Sequence, residues 1–74
     1  MGQEVSLSGF CGKRLKAARR AKQLSRFKLA VALGVTERSV MYWEIGAHAP
    51  GGESLAKLAR ILGVEVDYFF REAK

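Results

Sequence analysis

The stretch that most constrains this fold is residues 25–44, which read SRFKLAVALGVTERSVMYWE. Its pattern predicts two short helices joined by a sharp turn. Ser25 can cap the first helix, because its hydroxyl can accept a hydrogen bond from a free amide of the first turn, and Thr36 can cap the second in the same way. Gly34 can end the first helix in the left-handed conformation, which costs glycine little. So short a connection forces the helices to cross steeply, and Ala30 is small enough to lie at the crossing.

Further residues form one pattern with this stretch. Within and just after it are Leu29, Ala30, Gly34, Val35, Thr36, Val40, Trp43, Glu44, Gly46 and Pro50. Outside it are Gly12, Leu15, Arg19, Leu55, Leu58, Ala59, Leu62, Gly63 and Phe69. The whole set covers about residues 11–70 and resembles the Cro and repressor family of phage and bacterial regulators, often called the xenobiotic-response-element type. The resemblance implies an all-α, compact five-helix, lambda-repressor-like DNA-binding domain in which helices 2 and 3 form a helix-turn-helix.

The length of 74 residues leaves room for one domain. We expect a flexible N-terminal segment over residues 1–9 and the helix-turn-helix domain over residues 10–72. One cysteine and one histidine cannot form an intramolecular disulfide or a structural zinc site, so we expect a reducing, cytoplasmic setting and neither metal nor cofactor. No stretch approaches the ~18–20 apolar residues of a membrane span, and the start lacks a signal-peptide pattern, so we expect no membrane partner.

Basic residues are concentrated in the first half of the chain, within a formal net charge of +6. Eight of them lie between Val5 and Thr36, where no acidic residue occurs: Lys13, Arg14, Lys16, Arg19, Arg20, Lys22, Arg26 and Lys28. From Glu53 onward, four bases balance four acids. This distribution favours a polyanionic partner on one side of the domain, the alternative being a solvated helix face.

Helix 1 is predicted over residues 10–22, with Cys11, Leu15 and Ala18 at core spacing. On this spacing Cys11 is a buried small hydrophobe, and the alternative is a reactive thiol near Arg14. The resemblance implies an ion pair between Arg19 and Glu44 that joins helix 1 to helix 3 and is structural in role.

Helix 2 is predicted over residues 26–33, and its free first-turn amides form a natural anion site. Arg26 stands where the family usually has a glutamine that contacts phosphate, and a guanidinium keeps that contact possible. The full set of expected phosphate contacts is Arg26, Lys28, Ser39, Lys13 and Arg14. Helical periodicity places Phe27 on the outside of helix 2. It has either a functional role there or a structural one, in which it packs against the N-terminal segment. In the loop after helix 3, His48 could make binding pH-dependent or could simply be solvated.

Helix 3, over residues 37–45, is expected to enter the DNA major groove, with Glu37, Arg38, Met41 and Tyr42 as base readers. Arg38 suits guanine, and Met41 or Tyr42 suits a thymine methyl group. Glu37 can accept from cytosine, orient Arg38, or merely complement the helix dipole. The alternative for the whole set is an ordinary solvated surface, whereas Trp43 belongs to the core with Val40.

Helix 4 is predicted over residues 54–62 and ends at Gly63, and a last helical turn follows that Asp67 can cap. Phe69 is expected to enter the core. Its apolar neighbours Val66, Tyr68 and Phe70 cannot all be buried in so small a domain, and they form the expected dimer or partner surface.

Three functions fit these features. The leading one is a sequence-specific, double-stranded DNA-binding transcriptional regulator, a repressor that binds an inverted-repeat operator as a homodimer. The alternative is the antitoxin of a toxin-antitoxin pair, which binds DNA and a partner protein. A third is an interaction module whose basic side serves RNA or lipid. The scattered acids, single histidine and single cysteine form no catalytic arrangement, so we do not expect an enzyme.

Overall fold

The computed structural model describes residues 9–70, in which the regular secondary structure is entirely helical and there is no strand. The α-helices are α1 (Gly12–Ala21), α2 (Arg26–Leu33), α3 (Glu37–Ile45) and α4 (Gly52–Leu62), and a 3-10 segment spans Val66–Phe70. The all-α prediction is confirmed, but the expected fifth helix is a five-residue 3-10 segment. Most of the expected flexible segment, residues 1–8, and residues 71–74 lie outside the described range. Within that range, no helix is long and apolar enough to cross a membrane.

The helix starts follow the predicted caps at α2 and α3 and differ at α1 and α4. The Ser25 hydroxyl accepts from the Lys28 amide at 3.0 Å, and the Thr36 hydroxyl accepts from the Ser39 amide at 3.1 Å. At α1, Cys11 is the N-cap rather than a helical residue, and its amide donates to the Phe69 carbonyl oxygen at 2.7 Å. The Cys11 side chain is therefore half-buried at the helix start instead of on a core stripe. Helix α4 begins two residues earlier than expected.

The end of α1 has a conformation that its sequence does not favour. The Leu24 amide donates to the Arg19 carbonyl at 3.1 Å, and the Gln23 amide donates to the Arg20 carbonyl at 2.9 Å. This pair of bonds requires a left-handed residue between the helix and Leu24, and Gln23 takes that role with φ of 59°. The equivalent positions after the other α-helices are glycines, for which the conformation is free of strain: Gly34, Gly46 and Gly63.

One fully buried side chain from each element forms the centre of the core: Leu15, Leu29, Val40, Leu58 and Phe69. Trp43 is also buried, as predicted. Helix α1 approaches the end of α3 so closely that a β-carbon at Gly12 would lie 2.5 Å from the Glu44 carbonyl oxygen. Only glycine permits this approach, which fixes α1 beside the end of α3.

Candidate nucleic-acid interface

Helices α2 and α3 pack together and leave one side of α3 open. Val40 and Trp43 face the core, whereas Glu37 and Arg38 are exposed and Met41 and Tyr42 are half-buried. An open groove at the start of α2 is lined by Arg26, Glu37, Arg38 and Met41. The structure therefore brings three of the four residues expected to read bases together with one of the expected phosphate contacts.

A buried carboxylate joins this groove to the core. Glu44, with 1% of its side chain exposed, accepts from Arg19 Nε at 2.5 Å and from Arg19 Nη2 at 3.2 Å. Arg19 Nη1 donates to the Leu24 carbonyl at 2.8 Å. The Arg19–Glu44 ion pair is thus bidentate and links α1 to α3, and its polar atoms have partners despite burial.

Arg26 also bonds to Glu44, and this second arginine partner was not predicted from the sequence. Its Nε donates to Oε1 of Glu44 at 3.1 Å, while 35% of its side chain remains exposed. The resemblance assigns Glu44 one arginine partner, and nothing in the spacing indicates a second. A guanidinium carries five N–H donors, so the Nη atoms of Arg26 retain donors for an anion. Two arginines and one carboxylate leave a net positive charge, and Arg26 contributes it from the first residue of α2.

The remaining residues expected to contact phosphate occupy different settings. Lys13 and Lys28 are exposed, and the Ser39 hydroxyl lies 3.0 Å from the Thr36 hydroxyl in the first turn of α3. Arg14 is half-buried, with its guanidinium carbon 4.7 Å from the centroid of the Tyr68 ring. Arg14 therefore contacts the 3-10 segment in a cation-π arrangement, which uses the face of the guanidinium and leaves the N–H donors in its plane available.

Tyr42 has an aromatic partner that the sequence did not indicate. The His48 ring meets it edge-on, with centroids 5.1 Å apart and an interplanar angle of 77°. The loop between them folds back on α3, because the Ala47 amide donates to the Tyr42 carbonyl at 2.9 Å.

Exposed apolar side chains lie on the 3-10 segment, on α2 and at the end of α3. At the 3-10 segment, Val66 and Phe70 are exposed and Tyr68 is half-buried, around the buried Phe69. Elsewhere the exposed apolar residues include Phe27, Val31 and Ile45, of which the sequence reading singled out only the first. The suggested packing of Phe27 on the N-terminal segment involves residues outside the described range.

Comparison with known families and curated proteins gives a consistent result. A family model described as Helix-turn-helix matches residues 15–69. The chain is 38% identical over 60 residues to the SPbeta prophage-derived uncharacterized HTH-type transcriptional regulator YonR of Bacillus subtilis (strain 168). That alignment covers 81% of this chain and 56% of YonR. The chain thus spans about half the length of the curated relatives it matches.

Several solved structures have a similar fold. The P22 c2 repressor in complex with synthetic operator 9T has a TM-score of 0.78 and 26% identity, covering 95% of this chain and 97% of that chain. The restriction-modification controller protein C.AhdI from Aeromonas hydrophila has a TM-score of 0.73 and 34% identity, covering 80% of this chain and 89% of that chain. Cobalt(II) HppE in complex with substrate has a TM-score of 0.75 and 28% identity, but the match covers 89% of this chain and only 36% of that chain.

Proposed function

This chain belongs to the Cro and repressor type of the helix-turn-helix family of transcriptional regulators, and we propose that it binds a double-stranded DNA operator with sequence preference. The observation that carries the proposal is the open side of α3, where Arg38, Glu37 and Met41 line a groove with Arg26. Such a helix fits the major groove of B-DNA, in which each base pair presents a distinct pattern of donors and acceptors.

The base-reading roles follow from side-chain chemistry. Arg38 is exposed and can donate two parallel hydrogen bonds to guanine. Glu37, beside it, accepts from a cytosine amino group or holds Arg38 in place. Met41 and Tyr42 supply the apolar surface that suits a thymine methyl group.

The phosphate contacts hold the helix in register without reading sequence. We assign them to Arg26, Lys28, Ser39 and Lys13. Arg26 is the strongest of these, because its guanidinium is held through Nε by Glu44 and keeps its Nη donors for phosphate oxygens. Arg14 is a weaker candidate for a phosphate contact, since it is half-buried with its guanidinium over Tyr68, but the donors in the guanidinium plane stay available.

The active form in this proposal is a homodimer that represses by occupying an inverted repeat. Val66, Tyr68 and Phe70 form the dimer surface, because two exposed apolar side chains beside a half-buried aromatic ring gain from burial. Two copies related by a twofold axis would read half-sites about one helical turn, or ~34 Å, apart. We assign no catalytic activity to the chain.

The same apolar surface favours one alternative, an antitoxin that binds DNA and a partner protein. In that case Val66→Ser and Phe70→Ser would leave the oligomeric state unchanged and abolish binding of the partner. For a homodimer the same double variant would be monomeric by light scattering and would lose affinity for the inverted repeat.

Selection from a pool of random duplexes tests the main proposal. The wild-type protein is compared with Arg38→Ala and with Arg60→Ala, which removes an exposed arginine from α4 and serves as the matched control. We expect an enriched inverted repeat for the wild type and the control, and a relaxed preference at one symmetric base position for Arg38→Ala. A wild-type protein that enriches no sequence would overturn the proposal.

A further inference from the structure

The edge-on contact between His48 and Tyr42 brings a loop residue to the side of α3 that is proposed to read bases. We propose that His48 is a positioning residue: it holds the Tyr42 ring in one orientation and so sets the base preference at the position that Tyr42 meets. The inference rests on the proposed DNA-binding function and adds a specificity determinant outside the helix-turn-helix.

The Tyr42 side chain has a choice of rotamers that a neighbouring side chain can restrict. It is half-buried and lies four residues after Arg38, so the two side chains project from the same side of α3. A tyrosine in a helix has two accessible χ1 rotamers, which place the ring at different points of the helix surface. A neighbour that contacts the ring in only one of these rotamers selects it.

Backbone hydrogen bonds of the loop hold His48 close to Tyr42. The Ala47 amide donates to the Tyr42 carbonyl at 2.9 Å, and the His48 amide lies 3.4 Å from the same oxygen. Gly46, with φ of 84°, makes the reversal that brings these amides back to α3. The loop is therefore tied to the residue whose ring it contacts.

The side chain of His48 is long enough to contact the Tyr42 ring, unlike those of its two neighbours. Its neighbours Ala47 and Ala49 carry only methyl groups. The observed angle of 77° places the two rings in the edge-to-face geometry that aromatic pairs prefer. Because that preference depends on a ring at each position, an aliphatic side chain of similar size does not replace it.

The test compares His48→Ala, His48→Leu and His48→Phe with the wild type, using duplexes that carry each base at every position of the half-site selected by the wild type. His48→Phe keeps the edge-to-face contact, and His48→Leu keeps bulk without a ring. We expect the discrimination at the Tyr42 position to fall about two- to tenfold in the alanine and leucine variants, the range that corresponds to one edge-to-face pair. The phenylalanine variant should retain it.

Two internal controls separate positioning from a general loss of binding. The base position read by Arg38 should keep its preference in all three variants. In a Tyr42→Ala background, His48→Ala should cause no further change at the Tyr42 position.

The results separate the positioning role of His48 from the DNA-binding function on which it rests. A wild type without base preference overturns both. A wild type with clear preferences that His48→Ala leaves intact overturns the positioning role alone. A loss of affinity equal for all bases, which His48→Phe does not restore, also overturns it, because it would assign His48 a phosphate contact instead.

Discussion

The Nε atom of Arg26 lies 3.1 Å from Oε1 of Glu44, so the first residue of α2 is joined to a buried carboxylate near the end of α3. The same carboxylate holds Arg19 of α1. One buried acid therefore connects three helices, and it links the core to a cation that faces the candidate DNA surface.

Glu44→Ala should destabilise the domain by about 3–5 kcal/mol, because it would leave the buried Arg19 guanidinium without its counter-charge. Urea unfolding measures the change. The matched control is Glu53→Ala, which breaks an exposed pair with Lys57 and should change stability by less than about 1 kcal/mol. Equal midpoints for Glu44→Ala and the wild type would contradict the structural role of the ion pair.

Arg26→Gln should weaken DNA binding and reduce the slope of log K against log salt by about 0.9, because glutamine lacks the positive charge that neutralises one phosphate. Binding of the selected duplex at several salt concentrations measures the slope. Arg60→Gln, on α4, is the control and should keep the wild-type slope. If Arg26→Gln keeps it as well, Arg26 serves only as a structural partner of Glu44.

Gln23→Gly should stabilise the domain by about 0.5–1 kcal/mol. It removes the strain of a left-handed glutamine, and the greater freedom of glycine in the unfolded chain offsets part of the gain. The reciprocal change, Gly34→Gln, should be destabilising, since that position has φ of 78°. Thermal melts of both variants test the pair, and a lower melting temperature for Gln23→Gly would show that its backbone is unstrained.

Gly12→Ala should destabilise the domain by about 1–3 kcal/mol, because the added methyl group would overlap backbone atoms of Trp43 and Glu44. Gly52→Ala is the matched control, as its β-carbon would meet nothing within 4 Å. That control should be neutral or slightly stabilising, since alanine favours the helix. Similar melting temperatures for the two variants would argue against the close packing of α1 on α3.

The bounds of α2 and α3 followed from the sequence because both helices are delimited by local signals: Ser25 and Thr36 cap the starts, and Gly34 marks the end of the first. Local signals were weaker elsewhere. Cys11 fitted a core stripe by spacing, yet its amide bonds to Phe69 and places it before the helix. Such a contact joins residues far apart in the chain and leaves no periodic pattern.

In the candidate site, too, some features could be predicted from local sequence signals and others could not. The exposure of Arg38 and the burial of Trp43 follow from helical periodicity, so the outer side of α3 could be predicted. The contacts of Arg26 with Glu44 and of His48 with Tyr42 depend on how α2 and the loop fold against α3. Neither contact can be read from residue spacing alone.

The most direct test of the DNA-binding account is an amide chemical-shift titration of the labelled protein with the selected duplex and with a scrambled duplex of equal length. The account predicts that the largest shifts with the selected duplex fall at residues 26–28 and 37–42, and that the shifts within 37–42 are smaller with the scrambled duplex. An absence of shifts at residues 37–42, or identical shifts there with both duplexes, would contradict the assignment of α3 as the helix that reads DNA.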